Sequence, residues 1–184
     1  GLAPPDERLP YVAAMRHYAR ATARARQRDR RGFEAELAAL RAIQKKNDFK
    51  SMVDQGVPAP DLLTLAERVA RGRFAYASGN FAEAAKLYGE PAEMEAKIPY
   101  MEPPYWYYPV QQSLGAALYQ AKRYDEARNA FMAALTRAPN SRWALYGLAA
   151  TERALGRNVE AAAADAALER AWLGDRRWLD MDRL

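Results

Sequence analysis

The chain has 184 residues, half of them apolar, and its 28 lysines and arginines against 23 aspartates and glutamates give a net charge of +5. Cysteine is absent, which excludes thiol catalysis, disulfides and thiolate metal sites. No run of about 18 uncharged apolar residues occurs, so the sequence predicts no membrane-spanning helix. Abundant alanine and leucine, with arginine as the main cation and no alternating β-branched run, indicate an all-α protein.

Residues 1–10 carry three prolines and are predicted to form a linker. A helical hairpin is expected over residues 11–46. Its first helix runs from Tyr11 to about Arg28, a polar turn follows, and leucines at helical spacing predict a second helix from Phe33 to Gln44. The opening residues show neither an initiator methionine nor an apolar signal core, so the compartment is left open. We expect further repeats or another domain to precede them.

Residues 47–60 have no clear period and contain one glycine and two prolines, which is typical of a connector. One helical turn is expected within it, near Lys50–Val53. A second hairpin is expected over residues 61–92. Asp61 is predicted to cap its first helix, which ends near Tyr76, and after a turn at residues 78–80 its second helix runs from Phe81 to about Tyr88.

Residues 93–107 form an insertion that is dense in proline and aromatic residues. Together with the residue that follows, it contains Tyr100, Tyr105, Trp106, Tyr107 and Tyr108. One interpretation is an aromatic plug that fills space between hairpins and covers apolar helix surface. The other is that part of the insertion forms a wall of a binding groove, because rigid aromatic contacts are favoured at interfaces.

Residues 108–140 give the clearest pattern, with two helices joined by a tight turn and ended by a proline. The pattern is a Leu-Gly pair followed in order by a large residue, an alanine, a phenylalanine and a proline. Its positions in this chain are Leu114, Gly115, Leu118, Ala127, Phe131 and Pro139. Residues 141–172 predict a further hairpin, capped near Ser141, and its alanine at 161 follows the alanine at 127 by 34 residues. This pattern resembles the tetratricopeptide repeat, although Gln111 stands where that repeat has tryptophan.

The resemblance implies a right-handed superhelical solenoid of antiparallel helix pairs. About four hairpins are expected, of which residues 11–46 are a degenerate one, and Phe131 should be buried between its own hairpin and the next. Residues 173–184 are expected to form a C-terminal cap, because the end of a solenoid meets water. The residues expected to fold back over that end are Trp172, Leu173, Trp178, Leu179 and Met181.

Proteins of this family commonly bind an extended peptide or another protein in a concave groove lined by the first helix of each pair. The helical register of the repeat selects nine candidate groove residues in this chain. They are Arg20, Arg24, Arg73, Tyr76, Gln112, Tyr119, Gln120, Tyr146 and Arg153. Arginine can hold a carboxylate through two hydrogen bonds and tyrosine offers a stacking face, so an acidic or C-terminal peptide suits such a groove.

Catalytic chemistry has little support in the sequence. His17 is the one histidine and lies in an alanine-rich helix, where packing is the ordinary role. No glycine-rich phosphate loop and no cluster with metal-ligand spacing occurs, so we expect neither an enzyme nor a bound cofactor. The sequence predicts a scaffold or adaptor that binds a protein or an acidic peptide.

Two alternatives stay open. The first is an accessory repeat domain of a longer enzyme or secretion component. The second is a helical repeat that binds RNA or an anionic surface through arginines recurring every four residues along the first helix, at Arg16, Arg20, Arg24 and Arg28. The sequence names neither the partner nor the oligomeric state.

Overall fold

A computed structural model describes residues 9–99 and 101–184, so the predicted linker lies almost wholly outside the described residues, as does Tyr100. The structure is 76% helical, and no strand occurs in these two ranges. The prediction of an all-α protein is therefore confirmed. None of the described helices combines the length and apolar character that a membrane crossing requires.

Nine α-helices occur in the described residues, followed by two single turns of 3₁₀ helix at Arg176–Trp178 and Met181–Arg183. In chain order they are α1 (Pro10–Arg26), α2 (Arg30–Lys46), α3 (Lys50–Asp54), α4 (Ala59–Ala77), α5 (Phe81–Lys97), α6 (Val110–Gln120), α7 (Tyr124–Arg137), α8 (Arg142–Ala154) and α9 (Asn158–Ala171). The chain forms two compact units. The first holds α1 to α4 and Glu93–Tyr107, and the second holds Phe81–Ala92 and Tyr108–Leu184, so α5 contributes to both.

In the first unit, α1 packs against α2 and α4, and α2 also contacts α4. Small buried alanines on α1 allow this close approach, while larger side chains of α2 and α4 fill the space. The rings of Phe33 and Phe74 have centroids 4.7 Å apart. The guanidinium of Arg30 lies 4.9 Å from the centre of the Phe74 ring and covers this pair from one side.

The second unit is organised around one side chain. Helices α6, α7, α8 and α9 each pack against the next in chain order, and α6 also contacts α8. Phe131 on α7 is fully buried. A Cβ atom added to Gly115 on α6 or to Gly147 on α8 would lie 2.8 or 2.3 Å from the Phe131 ring. The ring therefore fills the space left by two glycines, and the expected burial of Phe131 between its own hairpin and the next is confirmed.

The same turn closes five of the described helices. In each, the middle residue has positive φ, and the next backbone N–H donates to the carbonyl five residues earlier over 2.9–3.0 Å. The middle residues are Arg28, Gly56, Gly79, Lys122 and Gly156, with φ between 57° and 85°. Glycine adopts this conformation freely, whereas a side chain makes it unfavourable. Two of the five turns, those at Arg28 and Lys122, are therefore built from residues that strain the backbone.

Replacing Lys122 with glycine is expected to raise the free energy of unfolding by about 0.5–1 kcal/mol, because the left-handed conformation disfavours any residue with a Cβ. The matched reverse change is Gly156→Ala, which should lower stability by about the same amount. No atom lies within 4 Å of the added Cβ at Gly156, so that loss would report the backbone alone. Urea denaturation of the two variants measures both effects, and a stabilising Gly156→Ala would contradict the argument.

Three predicted boundaries are wrong. Helix α1 ends at Arg26, and Asp29 forms the N-cap of α2 by accepting a hydrogen bond from the Gly32 amide. Helix α4 begins at Ala59, so Asp61 lies in its first turn and is not its N-cap. The first turn also contains Pro60, which is tolerated there because the first amides of a helix have no partner within it. Helix α5 continues through its internal proline to Lys97, which shortens the irregular part of the insertion.

Other predicted features are confirmed. The connector contains the expected helical turn, which is α3. Residues 78–80 form the turn after α4. Ser141 caps α8, with its hydroxyl 3.4 Å from the Ala144 amide.

Candidate functional site

The end of the chain contacts α6 in the second unit through Asp182 and Leu184. We call residues 175–184 the tail segment. Within the unit, α6 and α8 are neighbours, and residues seven apart lie on the same side of a helix. The α6–α8 face is defined by Ser113 and Gln120 on α6 and by Tyr146 and Arg153 on α8.

The tail segment has two buried apolar side chains and accepts hydrogen bonds from two residues of α6. Met181 and Leu184 are each only 6% exposed. The Ser113 hydroxyl donates to the Leu184 backbone carbonyl over 3.3 Å, and the Gln120 side-chain amide donates to a carboxylate oxygen of Asp182 over 3.2 Å. Apolar burial and polar pairing thus fix the same few residues.

Contacts within the tail segment, and one with α9, hold its local conformation. The Asp180 carboxylate accepts a hydrogen bond from the Asp182 amide over 3.0 Å and so caps the last 3₁₀ turn. The Arg183 guanidinium lies 4.3 Å from the centre of the Trp178 ring. Arg176 pairs with Glu169 at the end of α9. The part of the tail segment that contacts α6 is therefore a short turn whose conformation is held by local contacts.

This arrangement differs from the expected cap. Of the five residues expected to fold over the end of the last hairpin, only Met181 is buried. Leu173 is 86% and Trp178 is 53% exposed, while Trp172 packs edge-on against Trp143. The turn at the end of the tail segment reaches α6, where Ser113 and Gln120 donate hydrogen bonds to Leu184 and Asp182.

The phenol of Tyr146 reports the electrostatics of the face. Its pKa is raised above the ordinary value, first because the side chain is partly buried and then because the carboxylate of Asp180 and the phenol of Tyr119 disfavour a second negative charge. Arg153 opposes this shift. Asp180 of the tail segment is therefore close enough to Tyr146 to act on its charge.

The structure brings together several of the predicted groove residues in the second unit. Gln120 donates to the tail segment, the pKa of Tyr146 is raised in part by Asp180, and the centroid of the Tyr119 ring lies 5.5 Å from that of Tyr124. Arg153 is half exposed and pairs with Asp165 over 2.6 Å. Gln112 is buried, and its carbonyl accepts a hydrogen bond from Ser141 over 3.1 Å, so it is withdrawn from a ligand in this conformation.

Sequence reasoning missed Ser113. It lies one residue beyond the predicted Gln112, and a small hydroxyl carries no charge or hydrophobic signal. Its hydroxyl is within 3.1 Å of the Tyr108 phenol as well as 3.3 Å from the Leu184 carbonyl. A search for polar residues inside the apolar stripe of α6 could have found it, since buried hydroxyls require partners.

The predicted groove residues of the first unit are engaged with α2 or lie on α4. Arg20 donates to the buried carboxylate of Glu36 over 2.6 Å. Arg24 pairs with Asp29, the N-cap of α2, over 3.1 Å. Arg73 and Tyr76 lie on α4 and are partly buried. The two α1 arginines therefore stabilise their own hairpin.

His17 belongs to the same ion-pair cluster. Its Nδ1 atom lies 2.6 Å from one oxygen of Glu36, while Arg20 occupies the other. Both oxygens of this carboxylate are thus used in holding α1 to α2. Among the described residues, no group of three or more histidine, aspartate or glutamate side chains is arranged to hold a metal ion.

The insertion covers α1 within the first unit. Trp106 is 4% exposed and its ring centroid lies 5.5 Å from that of Tyr18. The hydroxyls of Tyr18 and Tyr107 are 2.8 Å apart, and Tyr105 donates to the Gly56 carbonyl over 3.0 Å. The interpretation as an aromatic plug over apolar helix surface accounts for these contacts.

Comparison with protein-family models finds no family that matches the chain, and searches of curated proteins and of solved structures find no significant match. The inference about function therefore depends on the chain's own residues and geometry.

Proposed function

We propose that this protein is a tetratricopeptide-repeat-like solenoid that acts as a non-catalytic scaffold or adaptor and binds a peptide or protein partner. The observation that carries the proposal is the seating of the chain's own tail segment on the α6–α8 face. One of its hydrogen bonds comes from Gln120, which the helical register assigns to a peptide groove. A surface that holds one short segment through side-chain contacts is chemically suited to hold another.

Three features support the repeat architecture. The pairs α1–α2, α6–α7 and α8–α9 pack as hairpins, the same positive-φ turn closes five helices, and Phe131 packs against glycines on the helices before and after its own. In a repeat protein each hairpin buries its apolar side against the next, which leaves the first helices of successive pairs side by side. The contact between α6 and α8 is the relation that such stacking requires.

The ion pairs of α1 favour protein binding over nucleic-acid binding. A stripe of arginines attracts phosphates when its charges are free to release counterions. Here Arg20 and Arg24 are paired with Glu36 and Asp29 inside their own hairpin. Their charge is partly neutralised, so less of the stripe is available to a phosphate backbone.

The test is selection of a displayed random peptide library on the full chain, followed by titration of the selected peptides. Arg153→Glu should weaken their binding by roughly 1.5–3 kcal/mol, because a charge-assisted hydrogen bond is lost and replaced by repulsion. Asp165→Asn is the matched control, since it frees Arg153 from its intramolecular partner and should not weaken binding. Arg16, Arg20 and Arg24 changed together to alanine should alter mainly the on-rate and its salt dependence; because Arg20 pairs with the buried Glu36, the helicity of this variant is first verified by circular dichroism.

A generic RNA is titrated in parallel at two salt concentrations. RNA binding that falls steeply with salt and disappears in the triple variant, while no selected peptide depends on Arg153, would replace this proposal with a nucleic-acid-binding function.

A further inference from the structure

Residues 180–184 of the tail segment, Asp-Met-Asp-Arg-Leu, accept hydrogen bonds from Ser113 and Gln120 of the α6–α8 face that a separate peptide could also accept. We propose that this face is a binding site for partner peptides that carry two apolar residues three positions apart with a carboxylate between them, and that the tail segment is its internal competitor. This inference rests on the proposed function and names the ligand class for it.

The apolar part of the motif follows from burial. Within the tail segment, Met181 and Leu184 are the two buried residues. They stand three apart on a 3₁₀ turn, where side chains at i and i+3 point the same way. The face therefore selects a pair of apolar side chains with this spacing.

The polar part follows from the two hydrogen bonds. Gln120 donates to the Asp182 carboxylate, which lies between the apolar pair, and Ser113 donates to a backbone carbonyl that any residue would supply. The Arg183 guanidinium lies against the Trp178 ring of the tail segment itself, so the motif requires no particular residue at this position. The carboxylate and the apolar pair therefore carry the specificity.

The tail segment competes with a partner peptide because it is covalently linked to the domain that carries the face. Residues 173–178, which connect α9 to the contact residues, are all exposed. A tethered segment has an effective concentration on the order of millimolar, so a weak intramolecular contact can exclude a free peptide of similar affinity. A partner must therefore bind the face better than the tail segment does, or reach a chain whose tail has been displaced.

The probe is a fluorescent, amidated peptide of residues 178–184, titrated by anisotropy into the full-length chain. Met181→Asp combined with Leu184→Asp should release the tail, because charged side chains are costly to bury. The peptide should then bind this variant at least about tenfold more tightly than it binds the original chain. Leu173→Asp is the matched control: it changes an apolar residue that is already 86% exposed, and its affinity should equal that of the original chain.

A charge exchange tests the carboxylate contact in a second variant. Made in the released chain, Gln120→Glu places a carboxylate opposite the one in the peptide. The original peptide should therefore bind this variant about tenfold more weakly than it binds the released chain itself. A peptide with lysine in place of Asp182 should recover that loss. Release of the tail is verified by a fall in the pKa of Tyr146, since Asp180 and the covering segment would leave it.

Absence of saturable binding to the released variant, or equal binding by a peptide with serine at both apolar positions, overturns the inference. A dimer of the original chain that the released variant does not form would also overturn it, because the face would then hold the tail of a second copy. If library peptides bind in an Arg153-dependent way but lack the paired apolar residues and carboxylate, this inference fails while the proposed function stands. If neither they nor the tail peptide bind, both fail.

Discussion

Phe131→Ala is expected to lower the free energy of unfolding by about 3–5 kcal/mol. The side chain is fully buried in the second unit and fills the space opposite Gly115 and Gly147. Removing the ring takes away its transfer free energy and leaves a cavity that two neighbouring helices must close. Urea denaturation followed by circular dichroism measures the loss, and a midpoint unchanged within error would mean that the ring is not at the centre of the core.

The glycines provide a control for this prediction. Gly147→Ala alone should destabilise the protein by about 1–3 kcal/mol, because its Cβ would lie 2.3 Å from the Phe131 ring. In the Phe131→Ala background the same methyl group enters the new cavity, so its cost should vanish or reverse. Additive effects in this double-mutant cycle would contradict the direct contact.

Arg128→Met is expected to lower the free energy of unfolding by about 3–5 kcal/mol through a different mechanism. Arg128 on α7 donates to Glu152 on α8 over 2.7 Å, and the Glu152 side chain is only 3% exposed. Its second oxygen accepts no hydrogen bond from the described residues. Removing the arginine leaves a buried carboxylate without its counter-charge. The measurement is again equilibrium denaturation in urea.

Two controls isolate that effect. Changing Arg128 and Glu152 together to methionine should restore most of the stability, since the buried charge is removed with its partner. At the N-cap of the same helix, Arg123→Met breaks a pair with the exposed Glu126 and should leave the free energy of unfolding nearly unchanged. Equal losses in the two single variants would show that burial of Glu152 is not the cause.

The helices of this protein are largely local in origin, and the sequence predicted most of them. The apolar stripes, the turn at residues 78–80 and the cap at Ser141 are confirmed because each depends on a few neighbouring residues. The start of α4 and the end of α5 were wrong because proline is accepted in a first turn and, in α5, inside the helix. Phe131 was predictable because its spacing from Gly115 and Ala127 already indicates a hairpin core.

The candidate site was only partly predictable. The helical register was enough to select Gln120 and Tyr146, since residues seven apart share a face. It could not show that Gln112 is buried against Ser141, or that Arg20 and Arg24 are paired with α2. Those outcomes depend on which carboxylates and hydroxyls neighbouring helices bring within reach.

The sequence by itself therefore determined the all-helical character, the hairpin periods and the core position of Phe131, because these follow from local propensity and spacing. Tertiary structure alone decided that Glu152 is buried and that the tail segment lies on the α6–α8 face. Glutamate and arginine on a helix look the same in sequence whether they meet water or each other. Leu184 meets Ser113 across 71 positions of chain, and the contact exists only once the intervening helices have packed.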